Sequence, residues 1–258
     1  MLSNNINNLY NRQVPFWGIK FKTLEPIKLF DEIHCEAKIK NQSPQKDYFV
    51  RIENGYTPQE LSIIVDDLDF DEIGTSTLWI KDENTLYNRN IDVRSNKKKS
   101  LGAGSVMKLG EIITMLENNI DKIELHSLGQ AVYFHSKFKF KPAITDFNEL
   151  TDYINYDILN KSNNPKFKHV CELAEKWLNK KSLSHKHLEE GNNILYEYLQ
   201  TVIENKLNRD EEFEIYPGFD MVLTRQDILK NKEYFNALFR KFDIDYQISD
   251  SFCSAKTS

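Results

Sequence analysis

The sequence is poor in cysteine, glycine and proline and has no long apolar run, and each shortage excludes a class of protein. Cys35, Cys171 and Cys253 are too few and too far apart for a disulfide framework or a C-x-x-C metal site. Nine glycines and seven prolines exclude a fibrous or low-complexity chain. No uncharged apolar run approaches the roughly 20 residues of a membrane-spanning helix. We therefore expect a cytoplasmic globular protein with no metal site and no membrane partner.

Acidic residues outnumber basic ones, and this balance argues against one large group of partners. The chain carries 39 acidic and 34 basic side chains, for a net charge of −5. A nucleic-acid binder needs a basic face to release counterions from phosphates. We expect no nucleic-acid partner, and an acidic surface suits a cationic partner better. With 40% hydrophobic residues, 258 residues can bury one sizeable core or two modest ones.

The pattern along the chain predicts three parts. Residues 1–14 are rich in Asn and lack the charged start and apolar core of a secretory signal, so we interpret them as a disordered leader. Residues 15–145 alternate β-like and helical segments, which predicts an α/β domain. Residues 146–258 carry helical periodicity with few β signals and predict a mainly helical region.

Within the first 145 residues, short apolar and β-branched runs mark the strands. Strands are predicted at residues 16–21, 61–65, 76–81, 85–94, 120–128 and 140–144, the last an edge strand because of Pro142. Short helices are predicted at residues 31–40 and 129–139. The acidic segment 66–74 is predicted as a solvated turn joining an antiparallel pair.

The strand at residues 85–94 is followed by a basic turn with two glycines and then by a helix. Lys97 to Lys99 precede Gly102 and Gly104, and apolar residues from Val106 to Leu116 follow at helical spacing. A helix start offers free N–H groups and the positive end of a dipole, and glycine lets a phosphate approach the backbone closely. The order strand, helix, strand predicts a parallel crossover. The pattern thus predicts a diphosphate site, although an ordinary tight turn with a solvated lysine run would show the same residues.

Two segments resemble motifs of one enzyme superfamily. Lys99-x-x-Gly102-x-Gly104 resembles the Gln/Arg-x-x-Gly-x-Gly/Ala signature of the GNAT superfamily of N-acetyltransferases, where this loop and helix hold the pyrophosphate of acetyl-CoA. Residues 131–140 resemble that superfamily's A-x-x-(aromatic)-Y-x-K/R-x-G-F segment, at the expected distance. Lysine replaces the usual Arg or Gln at position 99, His135 stands in place of the usual tyrosine, and Lys139 replaces the usual glycine.

The resemblance covers residues 60–145 and implies a GNAT-like mixed twisted sheet flanked by helices. It implies direct transfer of an acetyl group from acetyl-CoA to an amine acceptor, either a small molecule or a protein. It implies His135 as the acid that protonates the CoA thiolate and Asp92 as the base. The implied coenzyme contacts are Val93, Arg94, Lys99, Leu101, Gly102, Ala103, Gly104 and Ser105.

Several alternatives stay open at this point. His135 also fits a polar residue on a half-exposed helix, and the other candidate bases are Asp66, Asp67, Glu124 and His126. The chain as a whole also fits a binding or regulatory module that keeps the fold without turnover. It further fits an interaction protein, delivered to another cell, that acts through its helical half. The sequence leaves the acceptor and the oligomeric state open.

Three other features are interpreted as structural. Cys171 lies in an apolar helical face and is predicted to be core. His185-x-His187 has the spacing of a metal pair but lies in a lysine-rich segment, so we interpret it as a solvated linker. The aromatic stripe near the C-terminus, predicted to serve packing, comprises Tyr234, Phe235, Phe239 and Phe242.

Overall fold

The computed structural model describes most of the chain in two compact units. The described residues are 33–37, 46–55, 57, 59–67, 69, 71–93, 102–129, 131–180, 184–208, 211–242 and 244–249. The first unit comprises residues 1–83, 90–119 and 238–246, and the second comprises residues 84–89, 120–237 and 247–258. None of the helices in these ranges has both the length and the apolar character that crossing a bilayer requires.

The first unit begins with four strands that pair in sequence order. Each strand runs antiparallel to the one before it. Their bounds are β1 Ile33–Ala37, β2 Lys46–Asn54, β3 Glu60–Asp66 and β4 Glu72–Asp82. Val50 and Ile52 of β2 and Leu61 and Ile63 of β3 are almost fully buried, so this pair supplies much of the core. The predicted antiparallel pair at 61–65 and 76–81 is confirmed.

Helix α1, Ala103–Glu117, packs against these strands and is buried along nearly its whole length. Every residue from Val106 to Leu116 is buried. Gly110 permits close approach, because a Cβ atom there would lie 3.2 Å from Cγ2 of Ile63. The helix ends at Asn118, as its sequence predicts, with Asn119 in a left-handed conformation at φ 55°.

Strand β5, Thr85–Val93, contributes its first residues to the second unit and its last residues to the first. In the second unit it pairs in parallel with β6, Lys122–Leu128, from Thr85 opposite Lys122 to Asn88 opposite Leu125. The predicted parallel crossover is confirmed. This parallel pairing extends to Asn88, and β6 continues for three more residues beyond Leu125.

The second unit completes its sheet with a strand that the sequence did not reveal. Strand β8, Gly218–Thr224, pairs antiparallel with the whole of β6 and also with the short β7, Lys141–Pro142. Phe219, Met221 and Leu223 alternate as buried residues along it. The predicted edge strand at Pro142 is confirmed as β7, at the end of the strand order.

The remainder of the second unit is helical, as predicted. Helix α2 packs on β6, and α5 contacts both α2 and β7. The helices are α2 Ala131–Lys137, α3 Phe147–Tyr153, α4 Lys168–Asn179, α5 His185–Glu204, α6 Arg225–Lys230 and α7 Lys232–Lys241. Thr224 is the N-cap of α6, and its Oγ1 accepts from the N–H of Asp227 at 3.0 Å.

The predicted fold class, a mixed sheet flanked by helices with a mainly helical C-terminal region, is therefore confirmed. Two local predictions were wrong. Residues 33–37 form β1 instead of a helix, because pairing with β2 outweighs the local pattern. Asp66 is 1% exposed and accepts from Nε of Arg51 at 2.5 Å, so the acidic turn begins one residue later than predicted. The strand predicted at 16–21 and the leader lie outside the described residues, and the division at residue 145 stays a prediction.

Two glycines beside the β6–β8 pair give a matched test of backbone strain. Both have positive φ, but a Cβ atom at Gly218 would lie 2.1 Å from the carbonyl oxygen of Ser127, whereas one at Gly129 meets nothing closer than 3.8 Å. We expect Gly129→Ala to lower the free energy of unfolding by about 1 kcal/mol through φ alone. Gly218→Ala should cost at least about 3 kcal/mol, since the clash adds to the strain. If both variants lost the same free energy of unfolding in chemical denaturation, the observed register of β6 with β8 would be contradicted.

Candidate functional site

Helix α1 begins at Gly102. This glycine is the N-cap of α1 with φ 90° and ψ −12°, a left-handed conformation that glycine adopts readily and other residues rarely do. The N–H of Val106 donates to the carbonyl of Gly102 at 3.0 Å, which is the first hydrogen bond of the helix. The turn and the helix start therefore lie at the predicted positions.

The start of α1 has the properties of an anion site. The N–H groups of Ala103, Gly104 and Ser105 precede the first helical hydrogen bond and have no partner within the helix. The first turn contains no acidic residue, so no carboxylate opposes an anion at the positive end of the helix dipole. Gly104 and Ser105 are half-buried, whereas Ala103 is buried. N–H groups at the positive end of a helix are a general arrangement for binding an anion.

Two further predicted site residues lie at the end of β5. Asp92 is exposed and Val93 is half-buried. Strand β4 approaches the backbone here, because a Cβ atom on Gly74 would lie 3.1 Å from the carbonyl oxygen of Asp92. Asp92, Val93 and Gly102 to Ser105 all belong to the first unit. Arg94, Lys99 and Leu101, with the rest of the lysine run, lie outside the described residues.

A buried ion pair, which the sequence pattern does not indicate, lies within α1. Nζ of Lys108 lies 2.5 Å from Oε2 of Glu111, and both side chains are 0% exposed. The hydroxyl of Ser76 on β4 donates to Oε1 of Glu111 at 2.6 Å. Burial lowers the pKa of Lys108, and the Glu111 carboxylate opposes this shift.

The energetics of such a pair are asymmetric. Removing one partner strands a buried charge and costs about 3–5 kcal/mol, whereas replacing both by apolar residues of similar volume is often neutral or stabilising. The pair in α1 is therefore not required for stability in itself. The reason for keeping the pair therefore has to lie in the part of the structure that it holds in place.

His135 belongs to the second unit and lies on α2. The alternative interpretation of a polar residue on a half-exposed surface does not describe it, because the side chain is only 7% exposed. Its ring contacts Phe134 and Phe140 at centroid distances of 5.2 and 5.7 Å. Tyr133 faces elsewhere, as predicted: its hydroxyl donates to the carbonyl of Phe213, and burial raises its pKa.

The buried face of α2 differs from the predicted one. Ala131, Phe134 and Phe138 were expected to share a face, but Ala131 is exposed and Phe134 only half-buried. The buried residues of the helix are Val132, Tyr133, His135 and Ser136. His135 and Ser136 are therefore buried at positions where the hydrophobic pattern predicts exposure to solvent.

Lys139, at the position of the glycine in the motif that residues 131–140 resemble, has a glycine-type conformation. Its φ is 65°, and the turn is closed by hydrogen bonds from the N–H of Lys139 to Ser136 and from the N–H of Phe140 to His135. Its ammonium group donates to Gln200 at 3.1 Å and lies 4.9 Å from the centre of the Tyr234 ring. Burial lowers the pKa of Lys139. The substitution therefore preserves the turn before β7.

The other candidate bases already have hydrogen-bonding or ionic partners. Glu124 accepts from Lys122 at 2.5 Å, and Nδ1 of His126 lies 2.7 Å from Oδ1 of Asp220 on β8. Asp66 is held by Arg51, and Asp67 accepts from the N–H groups of Asp69 and Asp71 inside the acidic turn. The sequence could not indicate Arg51 or Asp220 as partners, because both pairings depend on strand register.

The residues interpreted as structural have structural surroundings. Cys171 is 5% exposed, its thiol donates to the carbonyl of Ile158, and burial raises its pKa, which confirms it as core. His187 lies in α5 and stacks on Trp177 at 4.6 Å, so the expected solvated linker is a helix start instead. No cluster of three or more His, Cys, Asp or Glu side chains suited to a metal occurs in the described ranges. The aromatic stripe is buried except for Tyr234, which is 38% exposed.

Comparisons with known proteins find similarity only among solved structures. No protein-family model matches the chain, and no curated protein sequence does. A GNAT-family acetyltransferase from Staphylococcus aureus Mu50 is 23% identical with a TM-score of 0.30, over 33% of this chain and 56% of that one. The spermidine/spermine N-acetyltransferase of Vibrio cholerae is 17% identical with a TM-score of 0.31, over 34% of this chain and 55% of that one.

A third similar structure is described as a streptothricin acetyltransferase from Bacillus anthracis in complex with acetyl coenzyme A. It is 16% identical with a TM-score of 0.31, over 54% of this chain and 78% of that one. The chain thus spans just over half the length of the first two structures. At these identities and scores the likeness carries no argument about activity, which has to rest on the residues themselves.

The left-handed lysine can be tested with two substitutions that remove the same ammonium contacts. Lys139→Gly and Lys139→Ala both lose the contacts with Gln200 and Tyr234, but only alanine retains a Cβ atom at φ 65°. We expect the glycine variant to be the more stable by about 1 kcal/mol in chemical denaturation. An alanine variant as stable as the glycine variant would show that this turn does not hold the left-handed conformation.

Proposed function

We propose that the chain is an acyl-CoA-dependent N-acetyltransferase that transfers the acetyl group of acetyl-CoA to an amine. One observation supports this most: a left-handed glycine is the N-cap of a helix whose first turn contains no carboxylate, and Gly104 and Ser105 of that turn are half-buried. Both glycines of the GNAT-like signature, Gly102 and Gly104, lie in that turn. A diphosphate is the group that such a turn suits best.

In this proposal the residues of the first unit hold the coenzyme substrate. The N–H groups of Ala103, Gly104 and Ser105 donate to diphosphate oxygens, and the backbone at Val93 pairs with the pantetheine arm. Arg94, Lys99 and Leu101 complete the proposed contacts from outside the described residues. When bound, acetyl-CoA supplies the thioester that the amine attacks directly, without a covalent enzyme intermediate.

Proton transfer is proposed for two side chains. The amine has to lose a proton before it attacks, and the exposed Asp92 carboxylate is the proposed base. The departing thiolate has to gain a proton, and His135 is the proposed acid. Glu124 and His126 remain alternative bases, since each could exchange its present partner for substrate.

A second candidate function is favoured by the surroundings of His135. An imidazole that is 7% exposed between aromatic rings is also what a packing residue would look like. In that case the chain would be a module that binds the coenzyme without catalysing acetyl transfer. Calorimetry with CoA, followed by thiol release from acetyl-CoA with spermidine, streptothricin and a lysine peptide, separates binding from catalysis.

The anion site can be tested by an isosteric pair at Ser105, a half-buried residue of the first turn. Ser105→Asp should preserve folding because a carboxylate at a helix start interacts favourably with the dipole. It should nevertheless weaken CoA binding about tenfold or more relative to Ser105→Asn, because it repels the diphosphate. Equal CoA dissociation constants for the two variants in calorimetry would place the coenzyme elsewhere.

The proposed acid can be tested by His135→Gln, which retains hydrogen-bonding groups but cannot act as an acid near neutral pH. We expect kcat for thiol release to fall about 100-fold or more, with the CoA dissociation constant unchanged. Phe134→Leu, a change to the neighbouring ring, serves as the packing control. A variant with normal kcat would remove His135 from the mechanism and leave the coenzyme site intact.

A further inference from the structure

The buried ion pair of α1 lies directly behind the proposed coenzyme-binding turn. Lys108 follows Gly104 by four residues and Glu111 follows Lys108 by three, so all three share one face of the helix. The Cα atom of Lys108 is about 6 Å along the helix axis from that of Gly104. That face carries a hydrogen bond to β4, because Ser76 donates to Glu111.

The pair constrains the rotation of α1 about its own axis. Apolar residues surround most of the helix, and one buried apolar side chain can replace another when a helix rotates. Lys108 and Glu111 cannot be exchanged in this way. A rotation of the helix by one residue, about 100°, would move Glu111 away from Ser76 and leave both charges buried without the Ser76 hydroxyl. The observed rotation is therefore the one that keeps all three polar groups bonded.

The same rotation determines where the helix start faces. The N–H groups of Ala103, Gly104 and Ser105 are distributed around the axis, so each rotational setting presents them to a different direction. The charges of Lys108 and Glu111 are opposite in sign, and Nζ and Oε2 lie 2.5 Å apart, so their effects on an anion at the turn cancel in part. Their effect on an anion is thus one of orientation.

We propose that Lys108 and Glu111, anchored to β4 by Ser76, are positioning residues that hold the first turn of α1 in the setting that binds the CoA diphosphate. This inference rests on the proposed function. The inference adds to that function a requirement for Ser76, Lys108 and Glu111, three side chains that do not contact the coenzyme.

The test is a triple variant in which the network is replaced by apolar groups, Lys108→Met, Glu111→Leu and Ser76→Ala. Replacement of all three removes both charges of the pair together, so neither is left buried without the other, and the variant is expected to fold. We expect its CoA dissociation constant in calorimetry to rise about tenfold. In thiol release, KM for acetyl-CoA should rise similarly, with kcat and KM for the amine unchanged.

The matched control is Ile113→Val, a buried residue that the helical period places on the opposite side of α1 from Gly104. It perturbs packing without touching the network, and its CoA affinity should equal that of the wild type. A loss of affinity in this control as large as in the triple variant would overturn the inference in favour of a general packing effect.

A second variant, Ser76→Ala alone, keeps the ion pair and removes the hydroxyl that donates to Glu111 from β4. We expect its CoA dissociation constant to rise about threefold, as for one lost hydrogen bond. If the triple variant does not fold, wild-type affinity in Ser76→Ala overturns the inference. If both variants fold and bind CoA like the wild type, the inference fails while the proposed function stands. A wild-type chain that does not bind CoA overturns both.

Discussion

A helix that is buried along its length can present polar backbone groups only at its ends, and this constraint governs the first unit. Every residue of α1 from Val106 to Leu116 is buried, and its C-terminal end closes on Asn118. Only the turn from Gly102 to Ser105 combines free N–H groups with partial exposure. Any ligand that uses the backbone of this helix must therefore bind at its start, where the dipole favours an anion.

The polar residues inside α1 are subject to the same constraint of burial. Its interior holds one ion pair whose members satisfy each other, together with a hydroxyl from β4. Such groups are tolerated in a core only when they are bonded, so they fix one arrangement of helix and sheet. Gly110 and Gly74 permit the close approach on which that arrangement depends. The start of α1 is thus supported by packing that begins several residues away from it.

The second unit shows how a turn can be kept when its usual residue is lost. Lys139 holds a φ of 65°, and its ammonium group finds partners on α5 and α7. The substitution that appears unfavourable in the sequence is compensated by contacts that form only in the folded chain. The aromatic surroundings of His135 on the preceding helix are of the same kind, since they are built from residues on both sides of that turn.

The local sequence pattern was sufficient to predict an element wherever the signals for that element lie within it. The strands at 61–65 and 76–81, the helix after Gly104 and the cap at Thr224 all carry their signals in adjacent residues. Strands β1 and β8 depend on partners distant in the sequence, as do the pairings of Asp66 with Arg51 and of Glu111 with Ser76. Alternation of Phe219, Met221 and Leu223 is a signal for β8, but helical segments on either side obscured it.

The central claim concerns the atoms that contact the coenzyme, and a crystal structure of the chain with CoA tests it most directly. The account predicts diphosphate oxygens within hydrogen-bonding distance of the N–H groups of Ala103, Gly104 and Ser105. A nucleotide bound at another place, with the start of α1 facing only solvent, would contradict it.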